Sequence, residues 1–118
     1  MHTLTERPID PATERTALAF LDRIAVSYPV RGAILFGSRA KGNFREDSDA
    51  DIAVVLPGPR DQFMAAKLAM ADVAFDVLLE TGIRVQPLPV WQEELAHPED
   101  YPNPALLHNI ESDGIRLC

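Results

Sequence analysis

Cysteine is nearly absent from this sequence. The only one among the 118 residues is Cys118, at the end of the chain. A single cysteine excludes a disulfide within the chain, and a thiol in that position is a poor candidate for a catalytic nucleophile. Proteins without disulfides are typical of reducing compartments, so we expect a cytoplasmic protein.

Long apolar runs are also missing. No stretch approaches the ~20 apolar residues that a transmembrane helix needs, and the first residues lack the pattern of a signal peptide. We therefore expect no membrane association. The composition is otherwise ordinary for a globular protein, with 47% hydrophobic and 25% charged residues.

The sequence also lacks an excess of basic residues. The formal net charge is −7, whereas a protein that coats nucleic acid needs a basic footprint, so no direct nucleic-acid partner is expected. The basic residues are nevertheless clustered, since Arg31, Arg39, Lys41 and Arg45 fall within fifteen positions. That local charge suits a phosphate ligand, while the acidic whole suits solubility or a basic protein partner.

The length and the order of the elements predict one α+β domain over residues 1–118. Strands are predicted over 30–36, 51–56 and 83–88, where apolar residues run between turn residues. Residues 1–10 are polar and are expected to fray. Helices and strands alternate, so we predict a small mixed β-sheet covered by helices.

Four helical segments are predicted. The first runs from Pro11 to Tyr28 with Asp10 as its N-cap, and the longest runs from Asp61 to Glu80 with Gly82 as its C-cap. Shorter ones are expected over 91–96 and 104–112. The buried side of the longest helix is predicted to carry Phe63, Leu68, Ala71, Phe75, Leu78 and Leu79.

The segment from Ile34 to Leu56 contains the residues with the clearest chemistry. Gly37 and Ser38 follow an apolar strand at a point where backbone N–H groups and a helix start can hold a phosphate. Ten residues later come Asp49 and Asp51, which open the next strand. Alternate side chains of a strand point the same way, so both carboxylates can share Mg²⁺.

Other interpretations of this segment explain its residues less well. An EF-hand that begins at Asp47 fails, because its sixth and twelfth positions hold Ile52 and Gly58 instead of Gly and Glu. A P-loop fails because no Gly-Lys-Ser/Thr follows the glycines. The segment can also be a plain turn followed by a solvated strand end, but two neighbouring carboxylates then repel each other with nothing to relieve them.

These residues resemble a known family. Gly37-Ser38, ten residues and Asp49-Ala50-Asp51 resemble the signature of the DNA polymerase β-type nucleotidyltransferase superfamily, and the fuller pattern from Gly37 to Gly42 is similar to its minimal nucleotidyltransferases. Those are short domains, often the antitoxin paired with a helical HEPN ribonuclease toxin. The resemblance implies a polymerase β-like nucleotidyltransferase fold. It also implies transfer of AMP, or another NMP, from ATP or a related NTP to a hydroxyl of that toxin.

The resemblance also implies roles for individual residues. Asp49 and Asp51 are the expected catalytic and metal-binding residues, with Mg²⁺ as the metal. The expected nucleotide-binding residues are Gly37, Ser38, Arg39 and Lys41. Whether the protein forms a homo-oligomer stays open.

One position departs from the family pattern. A third carboxylate is expected on the next strand, and the residue that aligns with it is Gln86. A neutral amide is a poor base and a weak Mg²⁺ ligand. The alternative is therefore a non-catalytic antitoxin that inhibits the toxin by complex formation through a degenerate site. An antibiotic nucleotidyltransferase would need a further helical domain, for which this chain has no room.

Overall fold

The computed structural model describes residues 1–118, and a five-stranded mixed β-sheet is its centre. The strands and helices, in chain order, are β1 (His2–Thr3), α1 (Pro11–Ser27), β2 (Gly32–Phe36), α2 (Ser38–Lys41), β3 (Ala50–Leu56), α3 (Phe63–Thr81), β4 (Val85–Trp91), α4 (Gln92–Ala96), α5 (Pro104–Asp113) and β5 (Ile115–Arg116). A 3-10 turn, Pro98–Asp100, precedes α5. The predicted α+β class and mixed sheet are confirmed.

The sheet runs in the order β1-β5-β2-β3-β4. The β1–β5 and β3–β4 pairs are parallel, and β2 is antiparallel to both of its neighbours. Each face of the sheet is covered. Leu35, Ile52 and Val54 pack with α1 and α3 in the main core, while Ile34, Ala53 and Val55 pack with α5 on the opposite face.

The helix ends follow the predicted capping chemistry. Asp10 caps α1, where its carboxylate accepts the backbone N–H of Thr13 and Pro11 is the first helical residue. Gly82 ends α3 with a φ of 80°. Asn103 caps α5 in the same way as Asp10 caps α1. Helix bounds differ from the predicted ones by one or two residues, which is the usual fraying of helix ends.

The prediction that residues 1–10 fray is wrong at its start. His2 and Thr3 form β1, which pairs with Ile115 and Arg116 of β5. The predicted last strand also begins later than expected, at Val85, and extends to Trp91. β1 and β5 have two residues each, which is too few to show the alternating pattern of a strand. They are therefore recognised only from their pairing in the structure.

The predicted buried side of α3 is wrong. The residues of α3 that face the core are Ala66, Met70, Ala74 and Val77, whereas Leu68, Phe75 and Leu79 are more than half exposed. Apolar residues occur on every side of this helix, so their spacing does not select one face. Two alanines on the inner side let α3 lie close to the sheet, and larger side chains remain outside.

The helices provide no membrane span, because none is long and apolar enough to cross a bilayer.

Candidate active site

Asp51 lies at the centre of the candidate site. It is the second residue of β3, where its register partners are Phe36 on β2 and Gln86 on β4. Residues paired across a sheet point to the same face, so Asp51 and Gln86 are neighbours on one side. Gln86 is the residue that aligns with the third acidic position of the family pattern, and this register places it beside Asp51.

Burial and a neighbouring charge both act on the carboxylate of Asp51. Burial raises the pKa of Asp51, and the negative charge of Asp49 raises that pKa further. Both effects penalise the ionised carboxylate. A bound cation removes this penalty, and carboxylate oxygens are the ligands that Mg²⁺ prefers. The donor set at Asp49 and Asp51 therefore fits Mg²⁺.

Gly37 approaches Asp51 more closely than any other residue type allows. A Cβ atom built on Gly37 would lie 2.2 Å from Oδ2 of Asp51. The backbone at Gly37 has φ 75° and ψ −159°, a region that is almost restricted to glycine. Gly37 thus brings the backbone at the start of α2 against the carboxylate.

Ser38 and Lys41 remain available to a ligand. Ser38 is the first residue of α2, and the first N–H groups of a helix have no partner within it. Lys41 ends α2 with a half-exposed side chain, whose Nζ lies 3.8 Å from Oδ2 of Asp113. Both residues stay candidates for contact with a triphosphate.

Arg39 has a different setting from the one predicted. Its side chain is only 3% exposed, and its guanidinium donates to the carbonyl oxygens of Glu46 and Ser48 and to Oγ1 of Thr13. The ring of Phe44 lies 4.6 Å from the guanidinium carbon. These contacts link α2 to α1 and to the loop that precedes Asp49. Arg39 therefore stabilises the positions of α2 and of this loop.

Sequence reasoning missed this role because the motif marks Arg39 only as a basic residue beside a phosphate site. The hydrogen bonds continue from Arg39 through the hydroxyl of Thr13 to the carboxylate of Asp10. The two hydrogen bonds from Thr13 lower the pKa of Asp10, and the charge of Arg39 also contributes. A buried threonine three residues after an N-cap is too weak a signal to reveal such a network.

We expect Arg39→Ala to lower the free energy of unfolding by roughly 3 kcal/mol, because it leaves two carbonyls and one hydroxyl without their donor. Lys41→Ala is the matched control, since it removes an exposed basic side chain two residues away, and should change stability by less than ~0.5 kcal/mol. Urea unfolding measures both. Equal losses for the two variants would contradict the role given to Arg39.

A second group of metal-ligating side chains lies elsewhere. His97, Glu99 and Asp100 bring their ligand atoms within 4.8 Å of one another in the 3-10 turn region. All three are exposed, and nothing else at that position points to a ligand. It is separate in sequence from the site at Asp49 and Asp51.

Comparison with known proteins decides the family. The model of the nucleotidyltransferase domain matches residues 17–111, which is well over half of the chain. The chain belongs to the nucleotidyltransferase domain family. The matched range includes Gly37, Ser38, Asp49 and Asp51, so this nucleotidyltransferase carries the glycine–serine turn and the aspartate pair within the family's own region.

Solved structures with the same fold include two toxin–antitoxin proteins. One is a toxin–antitoxin with AMP-PNP, with a TM-score of 0.61 and 19% identity over 89% of this chain and 72% of that one. The other is a mutant of the toxin–antitoxin MntA-HpeT in which two aspartates, two positions apart, are replaced by glutamate. Its TM-score is 0.59 and its identity is 18%, over the same shares of the two chains. At these identities the likeness concerns the fold alone. No curated protein sequence matches this chain.

Proposed function

We propose that this nucleotidyltransferase moves a nucleoside monophosphate, AMP in the first instance, from an NTP to a hydroxyl of a partner protein. The observation that supports this most is the contact between Gly37 and Asp51. It sets a backbone turn suited to phosphate directly against a carboxylate pair suited to Mg²⁺. The partner in this proposal is a helical HEPN-type toxin, which the modification silences.

The reaction can be written with the residues that the chain supplies. The backbone N–H and the hydroxyl of Ser38 donate to the β- and γ-phosphates, and Lys41 neutralises part of their charge. The hydroxyl oxygen of the partner attacks the α-phosphorus, the bond from that phosphorus to the bridging oxygen breaks, and pyrophosphate leaves. The hydroxyl proton passes to water, because the amide of Gln86 is no base. Mg²⁺ bound at Asp49 and Asp51 would neutralise charge on the phosphate oxygens.

Two solved relatives of the same fold guide the choice of nucleotide and partner. One was solved with AMP-PNP, and in the other two aspartates with the spacing of Asp49 and Asp51 were changed to glutamate. Both are toxin–antitoxin proteins. An adenine nucleotide and a toxin partner are therefore the first candidates to test for this chain.

A specific observation favours a second function. Gln86 stands beside Asp51 where the family resemblance leads us to expect an acid. Without a third carboxylate the site lacks both a base and a ligand, and an antitoxin that inhibits by binding alone needs neither. In that case the partner is neutralised by complex formation and receives no label.

The transfer experiment uses the protein encoded by the adjacent reading frame as acceptor. We expect label from α-³²P-ATP, and none from γ-³²P-ATP, to reach that protein in the presence of Mg²⁺. Asp49→Asn and Asp51→Asn should abolish the transfer. Neutralisation of the toxin by both variants, without any label from the unmodified protein, would refute transfer and leave complex formation as the function.

The raised pKa of Asp51 predicts a difference in stability that can be measured on this protein alone. Because the pKa of Asp51 is raised in the folded state, its ionisation costs stability as the pH rises from the ordinary aspartate value through the raised one. We therefore expect Asp51→Asn to make the metal-free protein more stable at pH 7, by an amount on the order of 1 kcal/mol or less. The gain should vanish below about pH 4.

The same variant should lose its response to ligand. Mg²⁺ with AMP-PNP at 100 times its Kd should stabilise the unmodified protein by about 2.7 kcal/mol and Asp51→Asn hardly at all. Thermal unfolding with and without Mg²⁺ measures this. Asp47→Asn is the control, since Asp47 is an exposed loop residue and should respond like the unmodified protein. An unchanged response in Asp51→Asn would remove the metal site from the proposal.

A further inference from the structure

The outer face of α3 carries a row of large apolar side chains in contact with water. Met64, Leu68, Phe75 and Leu79 are 61%, 60%, 58% and 72% exposed. Their spacings of four, seven and four residues put them on one side of the helix. Only Val26 among the other large apolar side chains is exposed to this degree, so the exposed apolar surface is concentrated on this row.

A groove runs beside this row, between α3 and the edge strand β4. Its volume is about 400 Å³, and Phe75 and Leu78 line one wall while Gln86 and Pro87 line the other. Row and groove therefore form one continuous surface, which we call the α3 surface. A contiguous exposed apolar patch of this kind is typical of an interaction site.

The edge strand excludes a further β-strand as the occupant of the α3 surface. Pro87 and Pro89 of β4 have no N–H to offer, and the ammonium group of Lys67 already donates to the carbonyl oxygen of Pro87 at 3.3 Å. Added strands bind through such main-chain groups. The apolar row has the spacing that instead accepts the apolar face of another helix.

The acidic residues beside the apolar row indicate which kind of helix would bind there. Asp72 and Asp76 follow one flank of the row, both are exposed, and neither has an ion-pair partner within 4 Å. The whole chain carries a net charge of −7. A helix with lysine or arginine along the matching flank complements this side.

A second copy of the chain fits the surface less well. Two α3 helices paired antiparallel about a two-fold axis bring the same flank of each helix together. Asp72 and Asp76 would then face the acidic flank of the other copy, and the like net charges of the copies repel as well.

We propose that the α3 surface binds an amphipathic helix of a partner protein, with its apolar row on Leu68 and Phe75 and its basic flank on Asp72 and Asp76. Gln86 belongs both to this surface and to the register pair of Asp51. Its side chain shares the sheet face of Asp51, Ala53 and Val55, which is opposite to the face that α3 covers, so the bound helix and the aspartate pair lie on different faces of the sheet.

The test uses synthetic helical peptides as probes. One peptide has a leucine row at spacings of four, seven and four with lysines along one flank, and the second has glutamates in place of those lysines. We expect the lysine peptide to shift amide resonances of α3 and β4 in an NMR titration of the full chain. It should bind at least ten times more tightly than the glutamate peptide in calorimetry.

Substitutions within the row provide the matched comparison. Leu68→Ser combined with Phe75→Ser should weaken the lysine peptide at least tenfold. Val26→Ser should not, because Val26 is 87% exposed on α1 and lies outside the α3 surface. Asp72→Lys combined with Asp76→Lys should invert the preference between the two peptides. Both α3 double variants should unfold at the same temperature as the unmodified protein within a few degrees.

Several results would overturn the proposal. They are equal binding of both peptides, shifts confined to other elements, or a dimer of the unmodified protein that the serine variant abolishes. A large loss of stability in the serine variant would show that the row is structural. Asp51→Asn should bind the lysine peptide as the unmodified protein does, so a failure of transfer and a failure of docking are distinguishable.

Discussion

Gln86→Asp is expected to increase label transfer by roughly 10²–10⁴-fold, which is the usual contribution of a general base. Gln86 is the register partner of Asp51 and lies on the same face of the sheet. An aspartate there supplies a base for the acceptor hydroxyl and a further ligand for Mg²⁺. The rate of label transfer from α-³²P-ATP to the partner, with saturating Mg²⁺, measures the effect.

The matched control for that variant is Gln86→Asn. It shortens the side chain as aspartate does but adds no charge, so transfer should stay at the level of the unmodified protein. The third carboxylate should also make metal-free Gln86→Asp less stable, and Mg²⁺ should restore this loss because it binds the folded state. Equal rates for Gln86→Asp and Gln86→Asn would show that position 86 takes no part in the chemistry.

Gly37→Ala is expected to reduce both Mg²⁺-dependent nucleotide binding and transfer by at least ~10²-fold. The added Cβ would fall 2.2 Å from Oδ2 of Asp51, so the carboxylate or the turn has to move. Displacements of about 1 Å at a reacting centre cost on the order of 10²-fold in rate. The backbone strain at this position adds a stability loss of roughly 1–3 kcal/mol.

Gly42→Ala separates strain from the clash. Gly42 also has a positive φ, 82°, but a Cβ there would have no neighbour within 4 Å. It should therefore cost about 1 kcal/mol of stability and leave nucleotide binding nearly unchanged. Calorimetry with Mg²⁺ and AMP-PNP compares the two alanine variants. If both bind the nucleotide equally well, the contact of Gly37 with Asp51 has no functional importance.

Features of this chain that depend on neighbouring residues are predictable from its sequence. Capping at Asp10 and Gly82 was predicted correctly because a cap depends on residues only a few positions apart. The strands on both sides of Gly37 and Ser38 were predicted for the same reason, since an apolar run between turn residues is a local pattern. The aspartate pair is local too, since Asp49 directly precedes β3 and Asp51 lies within it, close enough for the charge of Asp49 to raise the pKa of Asp51.

Features that depend on contacts between distant helices and strands were decided by the tertiary structure. Arg39 belongs to the motif by sequence, but packing of α2 against α1 buries it and directs its donors to Thr13, Glu46 and Ser48. The exposed row on α3 could not be predicted, because an apolar helix offers several faces and only the sheet beneath it selects one. The sequence by itself determined the family and the caps, and it predicts Asp49 and Asp51 as a metal-binding pair. The tertiary structure decided which apolar and basic side chains are left for partners, because burial depends on contacts between segments that are distant in the chain.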